Sequence, residues 1–419
     1  MRLAPRRRRL TLARTAEALK PRPLSPVRAI VDRGGQDYAS TVSAATSRDP
    51  SFAETVGEDG RPATLVTAFA PLSPSIWVTR SAHRPAPLDD PRCQLFSRGR
   101  HGLWQGVRAL GLEPGDEVLV PAYHHGSEIE ALVRAGLVCR FYGAGDSLAP
   151  DRGELDALRS PRTRALHLIH YLGFPQDAPA WRCWCDERGL LLIEDAAQAC
   201  LATIGGEPVG TRADLMLTCL YKTFGLPDGA AVVCRVPLPG VSRHGPAGFT
   251  ALLRQHALWL ATRSATAGRA LARSGVAGRR RGEDDVALGD PSAAPSVATR
   301  WAVARLSSDG VAEARRRNFA RLAERLGRRL ARDFQHLPAG ASPLAFPVTS
   351  ADRRRLIERL ARHGIRALEL WARPHPALPV ERFPYAARLR ATLVGLPVHQ
   401  ELGPGDVDRM VAVVERAEG

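Results

Sequence analysis

The chain has 419 residues, 44% of them hydrophobic and 24% charged, with a formal net charge of +16. That length allows one large domain and a smaller one, each with its own core. No apolar run is long enough for a transmembrane helix, no apolar segment follows the arginine-rich start as a secretory signal requires, and the seven cysteines lack C-x-x-C spacing, Cys183 and Cys185 forming C-x-C. They read as small thiols in a reducing cytoplasm.

Residues 1–35 carry ten basic side chains against Glu17 and Asp32. They read as a disordered basic leader; without interleaved aromatics, nucleic acid is not an expected partner. Residues 36–90 are rich in Pro, Ser and Ala and are expected to wrap the surface. From about 95 the pattern predicts a helix over 102–110, a strand over 117–120 ended by Pro121, a helix over 128–135 and a strand over 138–142. A strand over 164–170, a helix near 180–187 and strands over 190–193, 215–220 and 230–235 follow. Strands alternating with helices argue for an α/β domain with a mostly parallel sheet. This domain and its wrap span 36–240. Residues 241–299 read as an insertion, helical over 250–273 with a long mobile loop over 274–297. A second, smaller α+β domain is expected over 300–419. It has a helical stripe of Phe319, Leu322, Leu326 and Leu330, a strand over 344–348, and a helix over 353–363 capped by Gly364.

Of 59 basic residues, only Lys20 and Lys222 are lysine. Arginine does not deprotonate near neutral pH and cannot serve as an amine nucleophile, whereas a lysine with a lowered pKa can. Lys20 lies in the leader. Lys222 ends an apolar run, where a charge needs a reason. Ligands gather at the carboxyl ends of parallel strands, where His170, Asp195 and Lys222 are all expected.

Three segments bear on the chemistry. Ser97-Arg-Gly99-Arg100-His-Gly-Leu103 opens a helix, whose free N–H groups can bind phosphate. Ile193-Glu-Asp195-Ala-Ala197-Gln198 ends a strand. Its acid could be a metal ligand, a general base or a partner for a pyridinium nitrogen. Leu220-Tyr-Lys222-Thr-Phe-Gly225 leaves a strand and precedes Asp228-Gly-Ala-Ala231. In order and spacing, together with Glu113-Pro-Gly-Asp-Glu-Val-Leu-Val-Pro121, Val209–Asp214 and Leu396-Pro-Val-His399, these resemble the DegT/DnrJ/StrS-type sugar aminotransferases. That family is a branch of the fold-type-I pyridoxal-phosphate (PLP) enzymes. The resemblance covers roughly 95–240 and 300–419.

The resemblance implies the PLP-dependent transferase fold type I, with a mostly parallel central sheet in the large domain and a smaller α+β C-terminal domain. It implies PLP as cofactor, with Lys222 as its Schiff-base lysine and proton carrier, and Asp195 paired with the ring nitrogen. Gln198 would bond the phenolic oxygen and Ala197 would form a flat surface beneath the ring. His125 would stack on the ring, and Gly99 and Arg100 would hold the phosphate. The family's phosphate serine falls at Leu217, and Thr218 is the hydroxyl expected to serve instead. The implied reaction moves an amino group from glutamate or glutamine to a nucleotide-linked keto sugar, in a cytoplasmic homodimer, for polysaccharide or secondary-metabolite biosynthesis. No metal is expected: His124, His125 and Glu128 fit neither H-E-x-x-H nor its inverse.

Two departures stand out. Arg100 replaces the family's threonine. The family's Gly-x-Asn-x-Arg segment, which reaches the partner subunit's phosphate, is absent; Pro295–Arg300 occupies that stretch. Alternative readings are a PLP enzyme of other chemistry, a dehydratase or lyase, or a degenerate homologue with a binding or regulatory role. Family dehydratases tend to replace the lysine by histidine, so Lys222 argues against that branch.

Overall fold

The computed structural model describes residues 64–417, except 80, 82–83, 243–244 and 274–285. The basic leader, the start of the expected wrap and the first half of the expected long loop fall outside the described residues. Among the described residues no helix is long and apolar enough to cross a membrane.

The large domain starts with strand β1 (Gln94–Phe96), helix α1 (Gly99–Ala109), β2 (Glu117–Pro121), α2 (Ser127–Arg134), β3 (Val138–Tyr142) and α3 (Arg152–Leu158). It continues with β4 (Thr163–Ile169), α4 (Ala178–Asp186), β5 (Leu191–Asp195), the small hairpin β6–β7 (Thr203–Ile204 and Glu207–Pro208), β8 (Leu215–Cys219), the short helix α5 (Leu220–Phe224) and β9 (Ala230–Cys234). Aspartates begin two of these helices. Asp151 accepts from the Glu154 amide at 2.8 Å, and Asp177 from the Ala180 amide at 3.2 Å, satisfying N–H groups that the first turn leaves unpaired.

The seven-stranded sheet has the order β1-β9-β8-β5-β4-β2-β3. Its strands run parallel except β9, which is antiparallel to both β8 and β1. Strand alternation gives the sheet two apolar faces. On one, Val118, Val120, Ile193, Leu215, Leu217 and Val232 pack against Leu103 and Val107 of α1 and Ile129 and Leu132 of α2. On the other, Leu119, Leu166, Leu168 and Leu192 meet Trp181, Trp184 and Cys185 of α4. The inner strands β2, β4, β5 and β8 are buried on both faces, hence their largely apolar sequences, whereas edge strand β3 is exposed over its first three residues but for half-buried Cys139. Helix α1 lies unusually close to the sheet: a Cβ on Gly102 would sit 2.2 Å from Val232 Cγ2, and one on Gly106 2.5 Å from Leu215 Cδ1. Glycine at both positions is a requirement of the packing.

Helices α6 (Phe249–Ala261), α7 (Ala265–Arg273) and α8 (Val297–Val303) lead to α9 (Val311–Leu326). The small domain then builds β10 (Ala345–Thr349), α10 (Arg353–Arg362), β11 (Leu368–Glu369), α11 (Pro384–Thr392), β12 (Leu393–Pro397) and α12 (Pro404–Glu415). Its antiparallel sheet has the order β10-β12-β11. The sequence pattern carried the α9 stripe to Leu330, but α9 ends at Leu326. Leu330 is instead extended and bridges Val348, so it stays buried without being helical.

Candidate active site

The expected residues meet at the carboxyl edge of the large sheet. Asp195 is the last residue of β5 and is buried. Lys222 lies in α5, directly beyond β8. That helix ends at Gly225, which has φ +66°; a Cβ there would come within 2.5 Å of the Ala70 carbonyl oxygen. Only glycine meets both demands at low cost. Backbone bonds tie this turn to the start of α1: Leu220 donates to the Gly229 carbonyl, and Gly229 donates to the Ser97 carbonyl, each at 3.1 Å. The Arg98 guanidinium lies 5.6 Å from the Tyr221 ring centroid.

No side chain caps α1. Beneath its first residue lie Leu217 and Cys219: a Cβ on Gly99 would meet Leu217 Cδ1 at 3.0 Å and Cys219 Sγ at 3.4 Å. Leu217 and Cys219 therefore face α1. Thr218, the residue between them, faces the other way. Its hydroxyl donates to the Ala196 carbonyl at 2.9 Å, and it lines a separate cavity of about 400 Å³ with Cys200, Met216 and Glu313. Thr218 therefore does not serve the phosphate site expected of it, because strand alternation turns it to the opposite face.

Gln198 is buried, and its Oε1 accepts from the Leu172 amide at 2.9 Å. Leu172 sits at φ +50°, which aims that N–H at the glutamine. With the oxygen engaged, the Gln198 amide nitrogen is left as a donor. Ala197 is half-buried, and its amide donates to Asp195 Oδ1 at 2.8 Å. Half-buried His125 holds Ser127 Oγ through Nδ1 at 3.1 Å. Its backbone amide donates to Glu128 Oε1 at 2.9 Å, and that of Gly126 to Oε2 at 3.1 Å. Arg100 is half-buried in the first turn of α1.

The sequence reading missed Glu128 as part of this site. Burial would raise its carboxyl, but His125 and His124 nearby and the backbone N–H bonds lower it, so it is ionised. Asp195 moves the opposite way: burial first, and then the Glu128 charge, raise its carboxyl above the usual range. Burial alone would lower the Lys222 ammonium; Tyr221, Cys219, Asp195 and Glu128 outweigh it and raise it. Burial pushes Tyr221 and Cys219 themselves up, so at neutral pH both are uncharged.

His170, placed by sequence at the strand end, turns away from the site. Its Nδ1 accepts from the Gln176 amide, and its Nε2 faces Glu194 Oε2, both at 3.0 Å. His167, two residues before Ile169 on the β4 face that Asp195 shares, lies with Nε2 3.7 Å from Asp195 Oδ2. His124 Nδ1 is bound to the Pro121 carbonyl at 2.9 Å.

The small domain clamps the site from outside. Buried Arg315 of α9 donates to the Thr223 carbonyl at 3.2 Å, and Gln400 Nε2 donates to the same oxygen at 3.0 Å. Arg390 of α11 donates to the carbonyls of Ala122 at 2.8 Å and His124 at 3.0 Å. Neither arginine is marked out by local sequence, because its partners lie far away in the chain.

Residues 90–236, which hold nearly all of these groups, match the model of one family. That model is the DegT/DnrJ/EryC1/StrS aminotransferase family's. Among similar proteins, a UDP-N-acetyl-3-dehydro-alpha-D-glucosamine 3-aminotransferase of Acidithiobacillus ferrooxidans is 33% identical over 156 residues, 35% of this chain and 42% of that protein. GDP-perosamine synthase of Vibrio cholerae is 32% identical over 140 residues, 33% and 38% respectively. The chain thus matches less than half the length of these relatives. Among solved structures, DesV of S. venezuelae, in complex with a ketimine intermediate, superposes with a TM-score of 0.56 at 24% identity, covering 78% of this chain and 85% of that one. Sugar aminotransferase Spr1654 of Streptococcus pneumoniae, in its PMP form, gives 0.59 at 16%, covering 84% and 98%. The fold is that of the PLP-dependent sugar aminotransferases, fold type I.

Proposed function

We propose that this chain is a PLP-dependent aminotransferase that moves an amino group from glutamate or glutamine to a nucleotide-linked keto sugar. Polysaccharide or secondary-metabolite biosynthesis is the setting that the names of its relatives suggest. The observation that carries the reading is that Lys222 just beyond β8, Asp195 at the end of β5 and the Gly99 turn stand at one edge of the sheet.

The donor set fits PLP. The start of α1, opened by Gly99 above Leu217 and Cys219, is a cradle that a side chain would fill, and its dipole favours phosphate. Arg100 adds a cation at the same turn. Asp195 would pair with the ring nitrogen and Gln198 Nε2 would donate to the phenolic oxygen. Ala197 would leave a flat floor, and His125 would stack above. PLP, when bound, supplies the electron sink for carbanion chemistry. Lys222 would attach it and, deprotonated, would be the base placed to move a proton at the substrate carbon. We further read the enzyme as a cytoplasmic homodimer, on the resemblance alone.

Spectroscopy tests the reading. Protein incubated with PLP acquires a visible absorbance band that Lys222→Ala abolishes, and glutamate bleaches it with release of 2-oxoglutarate. Protein that stays colourless with excess PLP sinks the proposal.

A further inference from the structure

His167 is fully buried, and neither of its ring nitrogens has a hydrogen-bond partner. A buried polar atom left unpaired is destabilising, so such cases call for an explanation. His170, three residues on, shows the usual outcome: equally buried, it has both nitrogens engaged. Close to His167 stands Asp195, whose Oδ2 lies 3.7 Å from Nε2. Its other oxygen is already held by the Ala197 amide. A shift of about 0.7 Å makes the remaining contact a hydrogen bond.

We propose that His167 is a positioning residue for Asp195, a neutral imidazole whose Nε2–H is given to the carboxylate when the site is loaded. The proposal rests on the PLP reading above. Burial pushes His167 down to about 4, so it is uncharged at neutral pH and has one N–H to give. The groups facing Asp195 are Glu128 from α2, Lys222 and Cys219 from the β8–α5 turn, and His167 from β4. Burial and Glu128 both favour a protonated Asp195. A donor bond favours the ionised form. His167 therefore tips the shared proton away from Asp195 and toward a ring nitrogen opposite it, without adding a charge of its own.

The test has two arms. Imidazole nitrogen NMR on histidine-labelled protein without cofactor reads the His167 proton directly. The expected result is a neutral ring protonated at Nε2 throughout pH 5–8. A ring that titrates in this range, or that carries its proton on Nδ1, overturns the proposal. The second arm measures the Kd for PLP against pH in the wild type, His167→Leu and His167→Gln. Binding that needs an ionised Asp195 weakens as pH falls through the Asp195 pKa. The leucine variant is expected to bind about tenfold more weakly at neutral pH, about 1.4 kcal/mol, and to shift that acid limb upward by about one pH unit. Glutamine, which keeps a donor, restores most of both. A leucine variant with the wild-type profile makes His167 a packing residue and refutes the proposal. Wild type that binds no PLP at any pH refutes the cofactor reading instead, and the NMR arm still decides whether His167 faces Asp195 as a donor.

Discussion

Gly102→Ala tests the link between packing and site most directly. A Cβ at position 102 would lie 2.2 Å from Val232 Cγ2 and 3.2 Å from Val232 Cβ. Ordinary carbon contacts are about 3.5–4.0 Å, so α1 must retreat by more than about 1 Å. Val232 cannot yield easily: it is fully buried in β9, and a β-branched side chain has few rotamers to choose from. Overpacking of this kind costs about 1–3 kcal/mol. The alanine regains up to about 1 kcal/mol of helix propensity, leaving a net loss of about 1–2 kcal/mol. Gly99 lies only three residues upstream, about 4.5 Å along the axis, so the phosphate cradle moves with the helix. PLP affinity should fall about tenfold, the worth of one hydrogen bond to a charged group. Gly106→Ala is the internal comparison. Its Cβ meets the tip of Leu215 at 2.5 Å, a flexible group farther from Gly99, so stability should fall while affinity stays near wild type. Thermal melts and fluorescence titration with PLP provide both numbers. Gly102→Ala that matches the wild type in stability, or that loses no more affinity than Gly106→Ala, refutes the reasoning.

Glu130 is held down to about 2, chiefly by the His375 side chain 3.1 Å away and then by Arg134. A depressed acid stabilises the fold above its unfolded pKa and loses that effect as pH falls through its folded one. Glu130→Gln should therefore cost about 1 kcal/mol at pH 7, after allowance for solvent screening, and nothing by about pH 2; urea melts at the two pH values check it. Gln198→Leu leaves the Leu172 amide unpaired and removes the site's amide donor. A stability loss of about 1–3 kcal/mol and a PLP affinity at least about tenfold weaker are expected from melts and titration. Arg315→Met removes the clamp on Thr223. Proteolysis should then cut preferentially near α5, and added PLP should protect less than it does in wild type; an unchanged digestion pattern would contradict the clamp.

The lysine census and the ordered motifs made Lys222, Asp195, Gln198 and the Gly99 turn readable, because each belongs to a short segment at a strand or helix end. Thr218 went wrong for want of one fact, the parity of β8: Leu217 and Cys219 face α1 and Thr218 does not. The same parity on β4 separates His167 from His170. Both histidines are visible in the sequence, but only the pairing of Ile169 with Asp195 shows which one shares the face of Asp195. Glu128 was legible as a helix-start acid, yet its field on Asp195 and Lys222 depends on burial that no local pattern conveys. Arg315 and Arg390 could not be found at all from short-range pattern, since their acceptors at Thr223, Ala122 and His124 lie across the domain boundary.

Those two arginines also set an order of manufacture. The lysine, its acid partners and the phosphate turn all leave the ribosome early, between Gly99 and Lys222. The groups that brace them, Arg315, Arg390 and Gln400, are synthesised late. A nascent chain halted before Arg390 already carries every residue expected to touch the cofactor, and lacks two of the three side chains that hold those residues still.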